Sequence, residues 1–310
     1  MPANSSNGLP GSIKRVSAIV VTYHPENASF ESIRLLAEQA SPVIVVDNSA
    51  TPEAKERLTQ AFGNNQKSFT LLFNERNLGI AAALNRGVRY AQELGAKWVL
   101  TMDQDSRITN GMVATMFAGY DTLPEDYRLR VASLAPRLTV SSSPPAQTAS
   151  DTHCLACKEI PTAITSGNLI KIDAWRAIGG YSDKLFIDYV DHDFCFRLRR
   201  AGWVILECQG ATLIHKIGNA THIRFLGRKI AINQHPPLRT YYITRNGFNF
   251  WKTFPDDRTF IKSDKANTLR LLVKAFLFEP HKLERLRMFW RGYRDFRNNR
   301  FGAYGTEKRL

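Results

Sequence analysis

Short apolar runs that alternate with helical segments restrict the fold of this chain more than any other feature of its sequence. The runs are rich in β-forming residues and have the length of buried strands: Val16–Tyr23, Val43–Val46, Phe69–Phe73 and Lys97–Met102. Helical patterns cover residues 30–39 and 80–94 between them. Strand, helix and strand repeated in this way predict an α/β fold with a doubly wound, mostly parallel sheet, whose strand ends open along one edge.

Polar residues follow these runs, and a parallel sheet would bring them together at that edge. The residues are Thr22, Asp47, Asn77, Gly79, Asp103 and Asp105. Open α/β sheets bind their ligands at the carboxyl ends of the strands. For a nucleotide ligand, a carboxylate such as Asp47 can accept hydrogen bonds from a pyrimidine N–H or a ribose hydroxyl, and Gly79 at a helix start lets the backbone approach a phosphate. Taken singly, Asp47 also fits an ordinary turn residue and Asn77 a helix cap.

Two carboxylates lie two residues apart where a buried strand ends, in the segment Thr101-Met102-Asp103-Gln104-Asp105-Ser106. Hard cations such as Mg²⁺ prefer carboxylate oxygens and leave their remaining positions to water and substrate phosphates. The pair therefore indicates a seat for a divalent metal ion. The alternative is that Asp and Ser only end the strand and cap the next turn.

Seven segments occur in a characteristic order along the chain. They are VVTYHP, VVDNSA, NLGIAAALNRG, TMDQDS, SGNLI, IGGYSDKLFIDYVDHDFCFRLRRAG and HKIG. Over roughly residues 13–220 this series resembles the family 2 glycosyltransferases, which have the GT-A fold with a Rossmann-like nucleotide-binding half. The forms TMDQDS and FIDYVDHDFCFRLR are similar to the bacterial rhamnosyltransferase branch. Members of that branch use dTDP-L-rhamnose to build O-antigen, capsule or related surface polysaccharides.

The resemblance implies an inverting transferase that uses Mg²⁺ or Mn²⁺ and a nucleotide-sugar donor. Its implied metal ligands are Asp103, Asp105 and His215. Its implied contacts to the nucleotide sugar are Thr22, Asp47, Asn77, Gly79, Asp103 and Gln104. Its implied acceptor side is Gly167, Asn168 and Trp175. Alternatives remain open for some of these residues, because a lone histidine beside a strand and a Ser-Gly-Asn loop are often purely structural.

Asp191 matches the aspartate that acts as general base on the acceptor hydroxyl in this family. The family has Glu at the preceding position, where this chain has Val190, so the orientation of Asp191 is open and Asp188 is the alternative base. A helix is expected from Asp191 to Ala201. Within it Asp193 can pair with Arg197 at i,i+4, which leaves Asp191 as the preferred base.

The C-terminal part of the chain carries an excess of basic residues. The chain has 310 residues and a net charge of +14, and about half of that charge lies in residues 268–310, with eleven Lys and Arg against four Asp and Glu. Four apolar residues recur there at helical spacing: Leu283, Leu286, Trp290 and Tyr293. A basic helix with an aromatic face is typical of a membrane-surface element. The alternative is a helix packed on the catalytic domain with a solvated basic side.

Three regions are predicted from these patterns. Residues 1–12 are expected to be disordered, residues 13–225 to form the catalytic domain with its nucleotide-sugar half up to about residue 106, and residues 226–310 to form a helical module. A flexible loop near the cleft is expected from Ser141 to Asp151. Cys154 and Cys157 form a C-x-x-C without a second pair at zinc spacing, so free thiols and a cytoplasmic location are expected, peripheral on the inner face of the plasma membrane.

The expected partners are dTDP-rhamnose and a glycan or polyprenyl-diphosphate-linked acceptor. One alternative is a family 2 transferase that uses a UDP-hexose. A nucleotidyltransferase would need a Gly-rich, basic loop directly after the first strand, where this chain has His24-Pro25. A nucleic-acid-binding role for the basic tail leaves the carboxylates unexplained, so nucleic acid is not an expected partner.

Overall fold

The computed structural model describes residues 15–140, 156–215, 220–225, 228–233 and 235–305. The strands of these residues are β1 (Val16–Thr22), β2 (Val43–Asp47), β3 (Phe69–Phe73), β4 (Trp98–Asp103), β5 (Arg107–Ile108), β6 (Val131–Val140), β7 (Cys157–Glu159), β8 (Asn168–Lys171), β9 (Val204–His215), β10 (Ala220–Phe225) and β11 (Arg228–Asn233). The helices are α1 (Asn27–Leu36), α2 (Pro52–Phe62), α3 (Ile80–Glu93), α4 (Met112–Asp121), α5 (Glu125–Arg130), α6 (Ile172–Ala177), α7 (Val190–Arg200), α8 (Pro237–Thr253), α9 (Arg258–Phe278) and α10 (Lys282–Arg297).

The predicted α/β fold is confirmed, with a nine-stranded sheet at its centre. Its strands follow the order β3-β2-β1-β4-β8-β6-β9-β5, and β7 pairs with β9. The four strands predicted from the apolar runs pair in parallel. Beyond them β8 runs antiparallel to both β4 and β6, whereas β6 and β9 are parallel. The predicted strand ends therefore do open along one edge.

Alternating side chains of the central strands enter cores on both faces of the sheet. Ala18 and Val20 of β1 pack in the core that contains α1 and α4, whereas Ile19 faces the core that contains α3 and α7. This is the two-residue period expected of an extended strand. Since both faces are covered by helices, the strand itself must be apolar almost throughout, which explains the continuous run seen in the sequence.

The C-terminal region is helical, as predicted, and packs against residues 184–189, the segment before α7. It begins with the β10–β11 hairpin and continues with α8, α9 and α10. The predicted domain boundary at residue 225 falls between the two paired strands of this hairpin, whose pairing the sequence did not reveal. None of the helices in the described parts of the chain is long and apolar enough to cross a membrane.

Some expectations fall on residues outside the described ranges, namely the disordered start at 1–12, the loop at 141–151 and Cys154. Cys157 instead lies opposite Cys208 in the β7–β9 pair, with 2.9 Å between the two Sγ atoms. The sequence spacing gave no sign of this neighbour, because the contact depends on strand pairing.

Candidate active site

The ends of β1, β2 and β4 bring the predicted polar residues to one edge of the sheet. In the strand register Thr22 lies beside Asp47, and Val21 lies beside Asp103. The convergence expected from the alternating pattern is therefore present. The local geometry shows how each side chain is held.

Asp47 is fixed by neighbouring hydroxyl and amide groups. The Thr22 and Ser49 hydroxyls donate to its Oδ1 at 2.8 and 2.7 Å, and the Ser49 amide donates to its Oδ2 at 3.1 Å. Only 2% of Asp47 is exposed. Because a carboxylate oxygen can accept more than one bond, Oδ2 keeps capacity for a donor from a ligand. The contact between Asp47 and a nucleotide base stays a prediction.

Asn48 holds the turn between β3 and α3 and was not singled out from the sequence. Its Nδ2 donates to the Gly79 carbonyl at 3.1 Å, and its Oδ1 accepts from Asn74 Nδ2 at 2.7 Å. Asn77 closes the same turn by accepting from the Gly79 amide at 2.9 Å. In the sequence, Asn48 is marked only by its place in the polar run Asp47-Asn48-Ser49 at the end of β2, and many turns have such a run.

Gly79 is required by a contact within the protein. Its φ of +84° lies in the region that favours glycine, and a Cβ here would come 2.5 Å from the Phe186 carbonyl oxygen. The next amide, of Ile80, donates to that same oxygen at 2.8 Å. The backbone that approaches Gly79 is thus the segment before α7. The predicted approach of a phosphate is not needed to explain the glycine and stays a prediction.

Three potential metal ligands meet beside the end of β4. Asp103, Asp105 and His215 each offer one ligand atom, and these atoms lie within 4.8 Å of one another. The pairing of β5 with β9 brings His215 to this turn, because Arg107 lies opposite Ile214. Two carboxylates and an imidazole are a donor set that suits Mg²⁺ or Mn²⁺, so the residues fit the metal that the sequence implies.

Ser106 orients the imidazole of His215 and is a second residue that the sequence did not single out. Its Oγ lies 2.8 Å from His215 Nδ1, and only 1% of Ser106 is exposed. With Nδ1 bound to the serine, Nε2 is left for a metal ion, as in metal sites where an outer partner fixes the histidine ring.

Negative charge is concentrated at this position. The pKa of Asp103 is raised to about 7 by burial, by Asp105 and by Asp191. Each ionised carboxylate disfavours ionisation of the next, and a bound cation would remove that penalty. The effect of Asp191 on Asp103 also places the start of α7 within electrostatic reach of the metal-ligand group.

The three acidic residues around the start of α7 have different partners. Asp193 forms the predicted i,i+4 pair with Arg197, at 2.8 Å, so that prediction is confirmed. Asp188 is bound by Arg239 at 3.1 Å. The Asp191 carboxylate accepts the His192 amide at 2.8 Å and stays partly exposed. Of the three, Asp191 is the carboxylate that lies free of an arginine among the described ion pairs.

Gln104 ties the carboxylate turn to the end of β1. Its Oε1 accepts from the Tyr23 amide at 2.8 Å, and its Nε2 donates to the Tyr23 carbonyl at 3.1 Å. Both polar atoms of the side chain therefore bind the backbone. A contact between Gln104 and the nucleotide sugar stays a prediction.

The predicted acceptor residues lie beside β4 and are mostly buried. Asn168 is 2% exposed and bonds Ser133, and Trp175 is 7% exposed and donates to Asn85 at 3.0 Å. The Gly167 amide donates to the Thr101 carbonyl at 2.8 Å. The side chains of Asn168 and Trp175 are therefore bound to other residues of the protein. Neither side chain is exposed enough to meet an acceptor in this structure, and the contact of these residues with the acceptor stays a prediction.

Comparison with known proteins agrees with this architecture. The model of the family described as Glycosyl transferase family 2 matches residues 17–128. The dTDP-rhamnosyl transferase RfbF of Shigella flexneri is 29% identical over 242 residues, which cover 75% of this chain and 78% of that protein. The galactofuranosyltransferase GlfT1 of Mycolicibacterium smegmatis is 26% identical over 249 residues, which cover 74% of this chain and 81% of that protein.

A solved structure with a similar fold is that of GalNAc-T7 with UDP, GalNAc and Mn²⁺. It superposes with a TM-score of 0.56 at 13% identity, and the match covers 91% of this chain and 56% of that one. The chain thus spans about half the length of that protein, and at this identity the likeness concerns the fold alone.

Proposed function

We propose that this chain, which resembles the family 2 glycosyltransferases over residues 17–128 and a dTDP-rhamnosyl transferase over 75% of its length, is an inverting, metal-dependent rhamnosyltransferase that takes L-rhamnose from dTDP-L-rhamnose. The observation that carries the proposal is the group of Asp103, Asp105 and His215 within electrostatic reach of Asp191. The leaving diphosphate needs a positive charge, which a metal ion on Asp103, Asp105 and His215 would supply. The attacking hydroxyl needs a base, and Asp191 is the carboxylate proposed for that role.

The donor is proposed to lie along the ends of β1, β2 and β4. Thr22 and Asp47 face the base, Asn77 and Gly79 lie beside the nucleotide, and Asp103 and Gln104 lie toward the sugar. The similarity to a dTDP-rhamnosyl transferase supports rhamnose as the sugar.

Asp191 is proposed to accept the proton of the acceptor hydroxyl as its oxygen attacks the anomeric carbon. The new C–O bond forms on the face opposite the diphosphate, the bond to the diphosphate breaks, and the configuration inverts. Base catalysis of this kind contributes roughly 10²- to 10⁴-fold in rate. Asp103, Asp105 and His215 would hold Mg²⁺ or Mn²⁺, whose chemistry there is neutralisation of the departing nucleoside diphosphate.

The acceptor is proposed to be a glycan or a polyprenyl-diphosphate-linked sugar at the inner face of the plasma membrane, in the synthesis of O-antigen or capsule. The outward face of α10 supports this location. Leu283, Leu286 and Trp290 are 74%, 46% and 59% exposed. Arginines lie beside them on the same helix, as in helices that bind anionic lipid surfaces.

The inward side of α10 contains buried polar residues as well as aromatic ones. Its buried residues are Arg285, Gly292 and Asp295. Phe289 and Tyr293 are half-buried, and their rings contact Phe276 of α9 and Phe248 of α8, so the apolar residues of α10 are divided between an inward set and an exposed set. An exposed apolar face of this kind marks an interaction surface.

Calorimetric titration of the purified protein tests the proposed donor. We expect dTDP-L-rhamnose to bind in the presence of Mg²⁺ or Mn²⁺ and to bind much more weakly without the ion. Binding of UDP-glucose or UDP-N-acetylglucosamine in place of dTDP-L-rhamnose would overturn the choice of donor. Metal-independent binding of every donor would overturn the assignment of Asp103, Asp105 and His215.

A UDP-hexose transferase is the second candidate. The similarity to a galactofuranosyltransferase favours it, because this relative is named for a different sugar yet matches nearly the same share of the chain. It would keep the roles proposed for Asp191 and for the metal ligands. The titration above separates the two.

A further inference from the structure

A left-handed turn precedes the helix that carries Asp191. Asp188 and Tyr189 have φ angles of +62° and +65°, and neither is glycine. Side-chain-bearing residues adopt this conformation at a cost in free energy, so two in succession persist only where the surroundings hold them. The residues that hold this turn come from the C-terminal helices.

Asn246 of α8 binds the backbone of the turn. Its Nδ2 donates to the Ile187 carbonyl at 2.8 Å and to the Asp188 carbonyl at 3.0 Å. The residue is 0% exposed, and its Oδ1 accepts from Arg245 Nε at 3.0 Å. That bond fixes which end of the amide faces the turn, so both donors point at the two carbonyls.

The side chains of the turn are held separately. Arg239 of α8 binds the Asp188 carboxylate at 3.1 Å. The Tyr189 hydroxyl donates to Asp264 at 2.9 Å and lies 2.8 Å from the Thr268 hydroxyl, both on α9. These bonds involve only the side chains of Asp188 and Tyr189. Asn246 is the residue of this group that binds the backbone carbonyls of the turn.

The turn sets the start of α7. Tyr189 is the N-terminal cap of the helix, and its carbonyl accepts from the Asp193 amide at 3.0 Å. Asp191 is the second residue of this helix. A change in the turn would therefore redirect the Asp191 carboxylate. The sequence left that orientation open, because Val190 stands where the family has a glutamate.

We propose that Asn246 is a positioning residue for Asp191, which it controls by fixing the backbone of the left-handed turn at Asp188 and Tyr189. The inference rests on the proposed role of Asp191 as general base. It makes the C-terminal helices part of the catalytic apparatus, although they lie outside the residues that match the family model.

The test compares Asn246→Asp and Asn246→Ala with Asn249→Ala, a matched control on the same helix. Asn246→Asp keeps the shape of the side chain but removes both N–H donors. The assay measures release of dTDP from dTDP-L-rhamnose with water as acceptor and Mn²⁺ present. Donor affinity is measured by calorimetry, and folding by circular dichroism.

We expect kcat to fall at least tenfold in both Asn246 variants, while the donor Kd stays within twofold and the control keeps the wild-type kcat. The pH at which the rate is half-maximal on the acidic limb should also shift, since the base has moved. If Asn246→Asp does not fold, because its buried carboxylate faces two carbonyl oxygens, Asn246→Ala decides the matter, since it also removes both donors.

A folded Asn246→Ala or Asn246→Asp protein with kcat and pH profile like the wild type would overturn the inference. So would equal losses in kcat and in donor affinity, because those would indicate a general disturbance of the site. Failure of the proposed donor is seen separately, as a wild-type protein that turns over UDP-glucose or UDP-N-acetylglucosamine but not dTDP-L-rhamnose.

Discussion

At the residue scale, the acidic side chains around α7 show what sequence spacing can and cannot predict. The Asp193–Arg197 pair was predictable because residues four apart on a helix are neighbours. The Asp188–Arg239 pair was not, because 51 residues separate its partners. The contact of Ser106 with His215 could not be predicted for the same reason, because 109 residues separate the two. Residues that act through distant partners need the fold before their roles can be assigned.

The contact between Ser106 and His215 makes a prediction about metal affinity. Ser106→Ala removes the group that orients the imidazole, and loss of such an outer partner weakens metal binding by roughly 10- to 100-fold. We expect the Kd for Mn²⁺, measured by calorimetry, to rise by about that factor. Arg107→Ala, an exposed change at the next residue, is the matched control. An unchanged Kd in Ser106→Ala would show that Ser106 does not prepare His215 for the metal.

At the element scale, the sequence predicted the parts of the sheet that depend on local pattern. β1 to β4, α3 and α7 follow from apolar runs and helical spacing, because these periods arise from the geometry of each element itself. The antiparallel pairing of β5 with β9 and the β10–β11 hairpin depend on partners distant in the chain or on a turn without a clear signal. For this reason Asp103 and Asp105 could be placed at the site from sequence, whereas His215 rested on family resemblance.

The junction of α8 with α10 makes a prediction about pH. The pKa of His235 is lowered to about 4 by burial and by Arg239 and Arg285, so the ring is neutral in the folded protein at pH 7. The unfolded chain binds a proton near pH 6.5. Because the unfolded state then holds more protons, stability falls as the pH drops from about 6.5 toward 4.

His235→Asn should remove this contribution. Thermal unfolding followed by circular dichroism should show a smaller decrease of Tm between pH 7 and pH 5 in the variant than in the wild type. Equal decreases in both proteins would mean that His235 titrates normally in the folded state.

At the scale of the whole molecule, the C-terminal region is both a support for the site and an outward surface. The Gly302 amide donates to the Lys184 carbonyl at 2.9 Å, and the Tyr242 ring stacks on Phe186 with 5.2 Å between centroids. The sequence predicted a helical module there, but its contacts with residues 184–189 could not be read from composition or period. They arise from packing between segments far apart in the chain.

The exposed apolar residues of α10, which lie beside arginines on the same helix, predict binding to anionic membranes. We expect the protein to sediment with vesicles of phosphatidylcholine and phosphatidylglycerol, and less with phosphatidylcholine alone. Replacing Leu283, Leu286 and Trp290 together by serine should reduce binding at least tenfold. Leu129→Ser, which changes an exposed leucine on α5, is the control.

Sedimentation of the triple variant like the wild type would contradict the assignment of this face. The wild type could instead stay in the supernatant and elute as a dimer from a size-exclusion column, while the triple variant elutes as a monomer. That result would show that a second copy of the chain covers this face.

The most direct test of the account as a whole is the turnover of Asp191→Asn with dTDP-L-rhamnose and Mn²⁺. The substitution keeps the size of the side chain and removes the base, while the groups proposed to bind the donor and the metal are unchanged. We predict a donor Kd within twofold of the wild type and a rate of transfer or hydrolysis lower by roughly 10² to 10⁴. A variant that retains near-normal turnover would show that Asp191 is not the base.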